Sequence, residues 1–132
     1  MRLLAVADTV EAGWGPADVR RFRPDVVVAC GDLPFEYLAW LGDAVEVPVV
    51  FVPGNHDPDL AGYRQTRSGL VLRAGIPTEP PWPTGSTNAD GRVVEVGGLR
   101  IAGLGGCIRY GDGPNQYTEG QQARRARQLR WR

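Results

Sequence analysis

The chain has 132 residues, with Lys+Arg and Asp+Glu balanced at 15 each, so no net field draws it toward nucleic acid or a membrane surface. With 42% hydrophobic and 23% charged residues it has an ordinary globular composition, which excludes a disordered tail. The longest apolar runs are about six residues, far short of the roughly 20 that a membrane-spanning helix needs.

Length alone sets the expectation of one domain over residues 1–132. The two cysteines, Cys30 and Cys107, have neither C-x-x-C spacing nor high density. They read as reduced thiols at buried strand ends. The opening run meets Asp8 too early for a signal peptide, so the expected compartment is the cytoplasm.

Leu3 to Ala7, Asp25 to Cys30 and Pro48 to Val52 are short, nearly continuous apolar runs. Such runs suit strands of a parallel sheet that is buried on both faces. Between the first two, Gly15 to Phe22 offers Pro16 at a first helical position and Val19 with Phe22 at i, i+3. Between the next two, Tyr37, Leu38, Leu41 and Val45 repeat at helical spacing within Pro34 to Val45. The order βαβαβ predicts an α/β fold.

Tyr63 to Gly91 carries Pro77, Pro80, Pro81 and Pro83 and reads as mostly irregular loop, with one strand near Leu70 to Leu72. Arg92 to Val96, Gly97-Gly98 and Leu99 to Leu104 read as a hairpin whose glycine pair supplies positive φ. Thr118 and Gln121 form a capping box at the start of a helix predicted to run to Arg132. The arginines of that helix, Arg124, Arg125, Arg127, Arg130 and Arg132, read as a solvated face and not as a nucleic-acid strip. Gly103 to Gly106 reads as close backbone packing and Arg109 as a surface residue.

Three short motifs follow the three apolar runs: Asp8, Gly31-Asp32, and Gly54-Asn55-His56-Asp57. Loops beyond the carboxyl ends of parallel strands line the ligand crevice of an open α/β sheet, so these residues are expected to converge. Two carboxylates and an amide oxygen form a hard donor set suited to Mg²⁺ or Mn²⁺. His56 can donate a proton to a leaving alkoxide.

Asp8, Gly31-Asp32-Leu33-Pro34-Phe35-Glu36 and Gly54-Asn55-His56-Asp57 resemble, in order and placement, the opening blocks of the calcineurin-like metallophosphoesterases. Those blocks are D-x-H, G-D-x-x-[DE] and G-N-H-[DE]. Gly103 to Glu119 is also similar to a stretch of small bacterial members. The resemblance implies an αββα sandwich of which this chain supplies the N-terminal part, leaving the domain incomplete at its C-terminus. It implies phosphoester hydrolysis in which a metal-activated hydroxide attacks phosphorus at a dinuclear Mn or Mg centre. By the resemblance, Asp8 binds one metal and Asp32 bridges two. Asn55 serves the second metal and the phosphate, His56 is the proton donor, and Asp57 orients it.

The chain departs from the family where D-x-H has its histidine, since that position is Val10, and His56 is its single histidine. The late G-H-x-H block is absent as well. By the resemblance the expected partner is a phosphoester small molecule or a phosphoprotein, with no nucleic acid and no membrane. The alternative is a degenerate, non-catalytic module that binds a phosphorylated ligand or a partner protein. A sheet face short of its covering layer predicts self-association.

Overall fold

The computed structural model describes residues 1–130; Trp131 and Arg132, where the predicted last helix ends, lie outside the described residues. Strand β1 (Leu3–Val6), helix α1 (Pro16–Arg20), strand β2 (Val26–Ala29), helix α2 (Phe35–Val45) and strand β3 (Val49–Phe51) follow the expected βαβαβ order. Strands β1, β2 and β3 pair in parallel, Leu3 with Val26 and Val27 with Val49.

The two helices are placed by local chemistry. Pro16 opens α1, where a missing N–H costs nothing, and the Asp18 carboxylate accepts from Gly15 N at 2.8 Å. Helix α2 buries Leu38, Leu41 and Ala44 along one stripe and stops at Glu46, which takes a left-handed conformation (φ 53°) just before Val47-Pro48.

The strands alternate between two cores, which explains their continuous apolar sequence. Val27, Ala29, Val49 and Phe51 face the helices and join Leu33, Leu38 and Leu41. Val26 and Val50 face the other way, packing with Ala89 and Val94. That second face is covered by the hairpin of β8 (Val93–Val96) and β9 (Leu99–Ala102). Its turn residues Gly97 and Gly98 both have positive φ, 58° and 78°, as a two-residue turn requires.

The stretch expected to be irregular is a correction. Residues 63–91 carry four strands: β4 (Tyr63–Gln65), β5 (Val71–Arg73), β6 (Ile76–Pro77) and β7 (Ser86–Asn88). The first three form an antiparallel sheet, while β7 adds to β3 as the fourth parallel strand. Strand β7, at the sheet edge, is Ser-Thr-Asn, so no apolar run announces it. Trp82, only 3% exposed, fills the helix-side core against Phe51 and Tyr63 at ring separations of 5.7 and 5.9 Å.

The short parallel pair β10 (Cys107–Ile108) and β11 (Gln116–Tyr117) leads into α3 (Glu119–Leu129). The predicted capping box is present: Thr118 Oγ1 accepts from Gln121 N at 3.1 Å, and Gln121 Oε1 accepts from Thr118 N at 2.8 Å. Both cysteines are unpaired, but Cys30, one residue past the end of β2 at Ala29, is exposed, contrary to expectation. No helix among the described residues is long and apolar enough to cross a membrane.

Cover on the hairpin face thins toward β1. Leu3 shares the face of its partner Val26 yet is 52% exposed. The accessible surface is 8253 Å², against about 6,800 Å² for a compact protein of 14.3 kDa.

Candidate phosphoester and cation site

The carboxyl ends of β1, β2 and β3 bring Asp8, Asp32 and the 54–57 loop to one end of the sheet. Asp8 N donates to Gly31 O at 3.2 Å, so the first motif rests on the second. Both aspartates adopt left-handed backbone, Asp8 at φ 62° and Asp32 at φ 58°. Aspartate tolerates that region better than most residues, yet it is strained, and such strain concentrates at functional sites.

The second and third motifs are cross-tied by carboxylates. Asp57 Oδ2 accepts from Asp32 N at 2.8 Å and from Gly54 N at 2.7 Å. In return, Asp32 Oδ1 accepts from His56 N at 2.8 Å. The loops touch so closely that only glycine fits between them. A Cβ on Gly54 would lie 2.2 Å from Asp32 Oδ1, and one on Gly31 would lie 2.8 Å from Gly54 N.

Through Oδ2 the Asp57 carboxylate serves main-chain N–H groups of both loops, a contact that the motif reading did not anticipate. The imidazole's neighbour is Asn55, whose Nδ2 lies 3.3 Å from His56 Nε2. An amide nitrogen only donates, so this contact is a hydrogen bond when Nε2 is the accepting nitrogen of the ring. His56 is exposed, and Asn55 and Asp32 are half-buried.

Residues that the motif reading passed over complete the wall. Tyr110 Oη accepts from Asn55 Nδ2 at 2.8 Å. Asn115 Nδ2 donates across to Gly54 O at 3.0 Å, and Gly106 N donates to Pro53 O at 2.8 Å. Buried Gln116 accepts through Oε1 from Tyr110 N and Gly111 N at 3.1 and 3.0 Å. Arg109, read as a surface residue, is exposed and donates to Gln116 O at 3.3 Å. The turn-rich composition of residues 111–115 marked a loop, but nothing in it marked the contacts of Asn115 with the main chain of Gly54, Asp57 and Pro58.

Behind the wall, Asp90 accepts from Gly105 N at 2.7 Å and pairs with Arg125, fixing α3 to the loop after β9. Arg125 also lies 4.0 Å over the Tyr117 ring. Burial pushes the Tyr117 phenol up from its ordinary value, with Arg125 partly opposing, and burial lowers the Arg92 guanidinium. Both lie outside the site itself.

The donor set is short of the dinuclear centre that the family resemblance implies. Asp8, Asp32 and Asn55 offer oxygens of the kind Mg²⁺ and Mn²⁺ prefer. Among the described residues, however, no group of three His, Cys, Asp or Glu side chains is arranged to hold a metal ion. Asp57 is committed to main-chain N–H groups, and Val10, 41% exposed, stands where an imidazole would be needed.

No curated protein matches the chain, and no solved structure does. The family model of the calcineurin-like phosphoesterases matches residues 1–130. Strand-end aspartates, interlocked G-D and G-N-H-D loops and a match over nearly the whole sequence place this chain in the calcineurin-like phosphoesterase family.

Proposed function

We propose that this chain holds one divalent cation, Mn²⁺ or Mg²⁺, through Asp8, Asp32 and Asn55, and presents a phosphoester to it as the phosphate-facing part of a hydrolytic site. The observation that carries the reading is the reciprocal tie between Asp32 and the 54–57 loop. It fixes the main chain of the loops that carry Asp32, Asn55 and His56 relative to one another before any substrate arrives, which supports the preorganisation that phosphoryl chemistry needs.

A bound divalent cation would neutralise charge on the phosphoryl oxygens and supply a nucleophilic water. The chain's own residues do the rest. Asn55 orients the phosphoryl group. His56, exposed at the mouth, is the proton donor to the leaving oxygen. Asp57 holds the two loops together. Two unpaired cysteines agree with a cytoplasmic setting. The substrate is a phosphoester small molecule or a phosphoprotein.

Efficient turnover needs imidazole ligands that a chain with one histidine does not contain. That favours a second reading for these residues by themselves: a non-catalytic module that binds a phosphorylated ligand or a partner protein. Turnover of an aryl phosphodiester with Mn²⁺, measured beside Mn²⁺-dependent binding of inorganic phosphate, separates the readings. Phosphate binding lost in Asn55→Ala with turnover near background, unrescued by Val10→His, fits a partial site. Robust turnover removed by His56→Ala would mean a site complete enough for catalysis. Neither phosphate nor Mn²⁺ binding would overturn both.

A further inference from the structure

We propose that Tyr110 is a positioning residue whose hydroxyl anchors the Asn55 side chain, and that the segment 105–117 is built to present it; this rests on the reading of Asn55 given above. Asn55 sits on a loop tip with a half-exposed side chain. Left alone, such an amide samples several rotamers, and a ligand would have to order it on binding. Both of its contacts run through Nδ2, to Tyr110 Oη at 2.8 Å and to His56 Nε2 at 3.3 Å. With Nδ2 engaged, the carbonyl Oδ1 is the atom left to face an incoming cation or phosphoryl group.

The main chain on both sides of the contact is held in place, which argues against an incidental one. Tyr110 is 71% exposed and adds little to either core. Its position is nevertheless fixed from several sides. Gln116 accepts from the Tyr110 main-chain N–H, while Asn115, in left-handed backbone at φ 56°, donates into the loop that carries Asn55. At Gly106, a Cβ would come within 2.2 Å of Asn115 O. The phenol and the amide are thus held by two segments tied to each other and not by the chance meeting of two free side chains.

The test is Tyr110→Phe, which removes one oxygen and leaves the main-chain ties of the segment in place. In ¹⁵N-labelled protein without metal, the Asn55 side-chain NH₂ signals are expected to move toward those of free asparagine, with water exchange faster by about threefold to tenfold. Titration with Mn²⁺ is expected to show binding weakened by a similar factor in the wild-type background and by nothing further in Asn55→Ala. Unchanged Asn55 signals would overturn the proposal. So would an undiminished effect of Tyr110→Phe in the Asn55→Ala background, which would mean that the phenol acts on the ion directly. If the amide signals respond as expected while Asn55→Ala leaves Mn²⁺ binding intact, the anchoring stands and the assignment of Asn55 as a ligand falls.

Discussion

Replacing Asp57 with alanine tests whether the site is held together by that carboxylate. One oxygen, Oδ2, serves two main-chain N–H groups on different loops, at 2.8 and 2.7 Å. Hydrogen bonds to a charged acceptor contribute about 1.5–3 kcal/mol each, and a stranded N–H costs about 1–3 kcal/mol. Because the groups are only partly buried, water recovers some of this, which leaves an expected loss of about 2–4 kcal/mol. Against a total stability of about 5–15 kcal/mol that is a large fraction. In urea it lowers the midpoint by about 1–2 M. Asp57→Asn keeps an acceptor oxygen without the charge and should lose about half as much, so the series remains readable if the alanine variant fails to fold. Hydrogen exchange locates the effect: the Asp32 and Gly54 amides should lose protection before the amides of β2 and β3. A stability within about 0.5 kcal/mol of wild type, with those two amides still protected, would refute the reasoning. It would leave Asp57 with only the orienting role that the family resemblance implies.

Gly54→Ala should destabilise by at least about 1–3 kcal/mol, because the added carbon meets the Asp32 main-chain nitrogen at 2.7 Å as well as its carboxylate; an unchanged thermal midpoint would count against the close approach of the loops. Burial raises the folded-state pKa of Tyr117, so the native protein keeps that proton where the unfolded chain, near pH 10, has lost it. The stability linked to it is therefore present below about pH 10 and lost as pH rises through the folded value; absorbance titration should show one late-ionising tyrosine, absent in Tyr117→Phe, and four tyrosines ionising together would contradict it. Cover on the sheet thins toward β1, where Leu3 is 52% exposed, and uncovered apolar surface of this kind drives association. The chain should therefore self-associate or bind a hydrophobic dye, whereas light scattering that shows a dye-silent, cooperatively unfolding monomer would contradict this.

The helix-side half of the fold was legible because its signals are local. Continuous apolar runs gave β1, β2 and β3, and the spacing of Leu38 and Leu41 gave α2. Gly97-Gly98 and Thr118 with Gln121 encode their turn and cap in adjacent residues. Strand β7 was not legible, since Ser86, Thr87 and Asn88 become a strand only by pairing with Val49, Val50 and Phe51. The exposure of Cys30, one residue past the end of β2, likewise does not follow from residue type. At the site, the motifs located Asp8, Asp32 and the 54–57 loop, but the division of labour among them did not follow. That Asp57 grips a pair of main-chain N–H groups depends on loops that meet only in three dimensions. Tyr110 was invisible for the same reason, being an exposed residue 55 positions from its partner.

The most direct measurement is the stoichiometry of Mn²⁺ binding by isothermal titration, with wild type and Asp32→Asn compared in the same buffer. Three oxygen donors without imidazole support should bind one ion weakly, and removing the Asp32 charge should abolish that binding. Two tight sites on this chain, or a site that survives Asp32→Asn, would contradict the account.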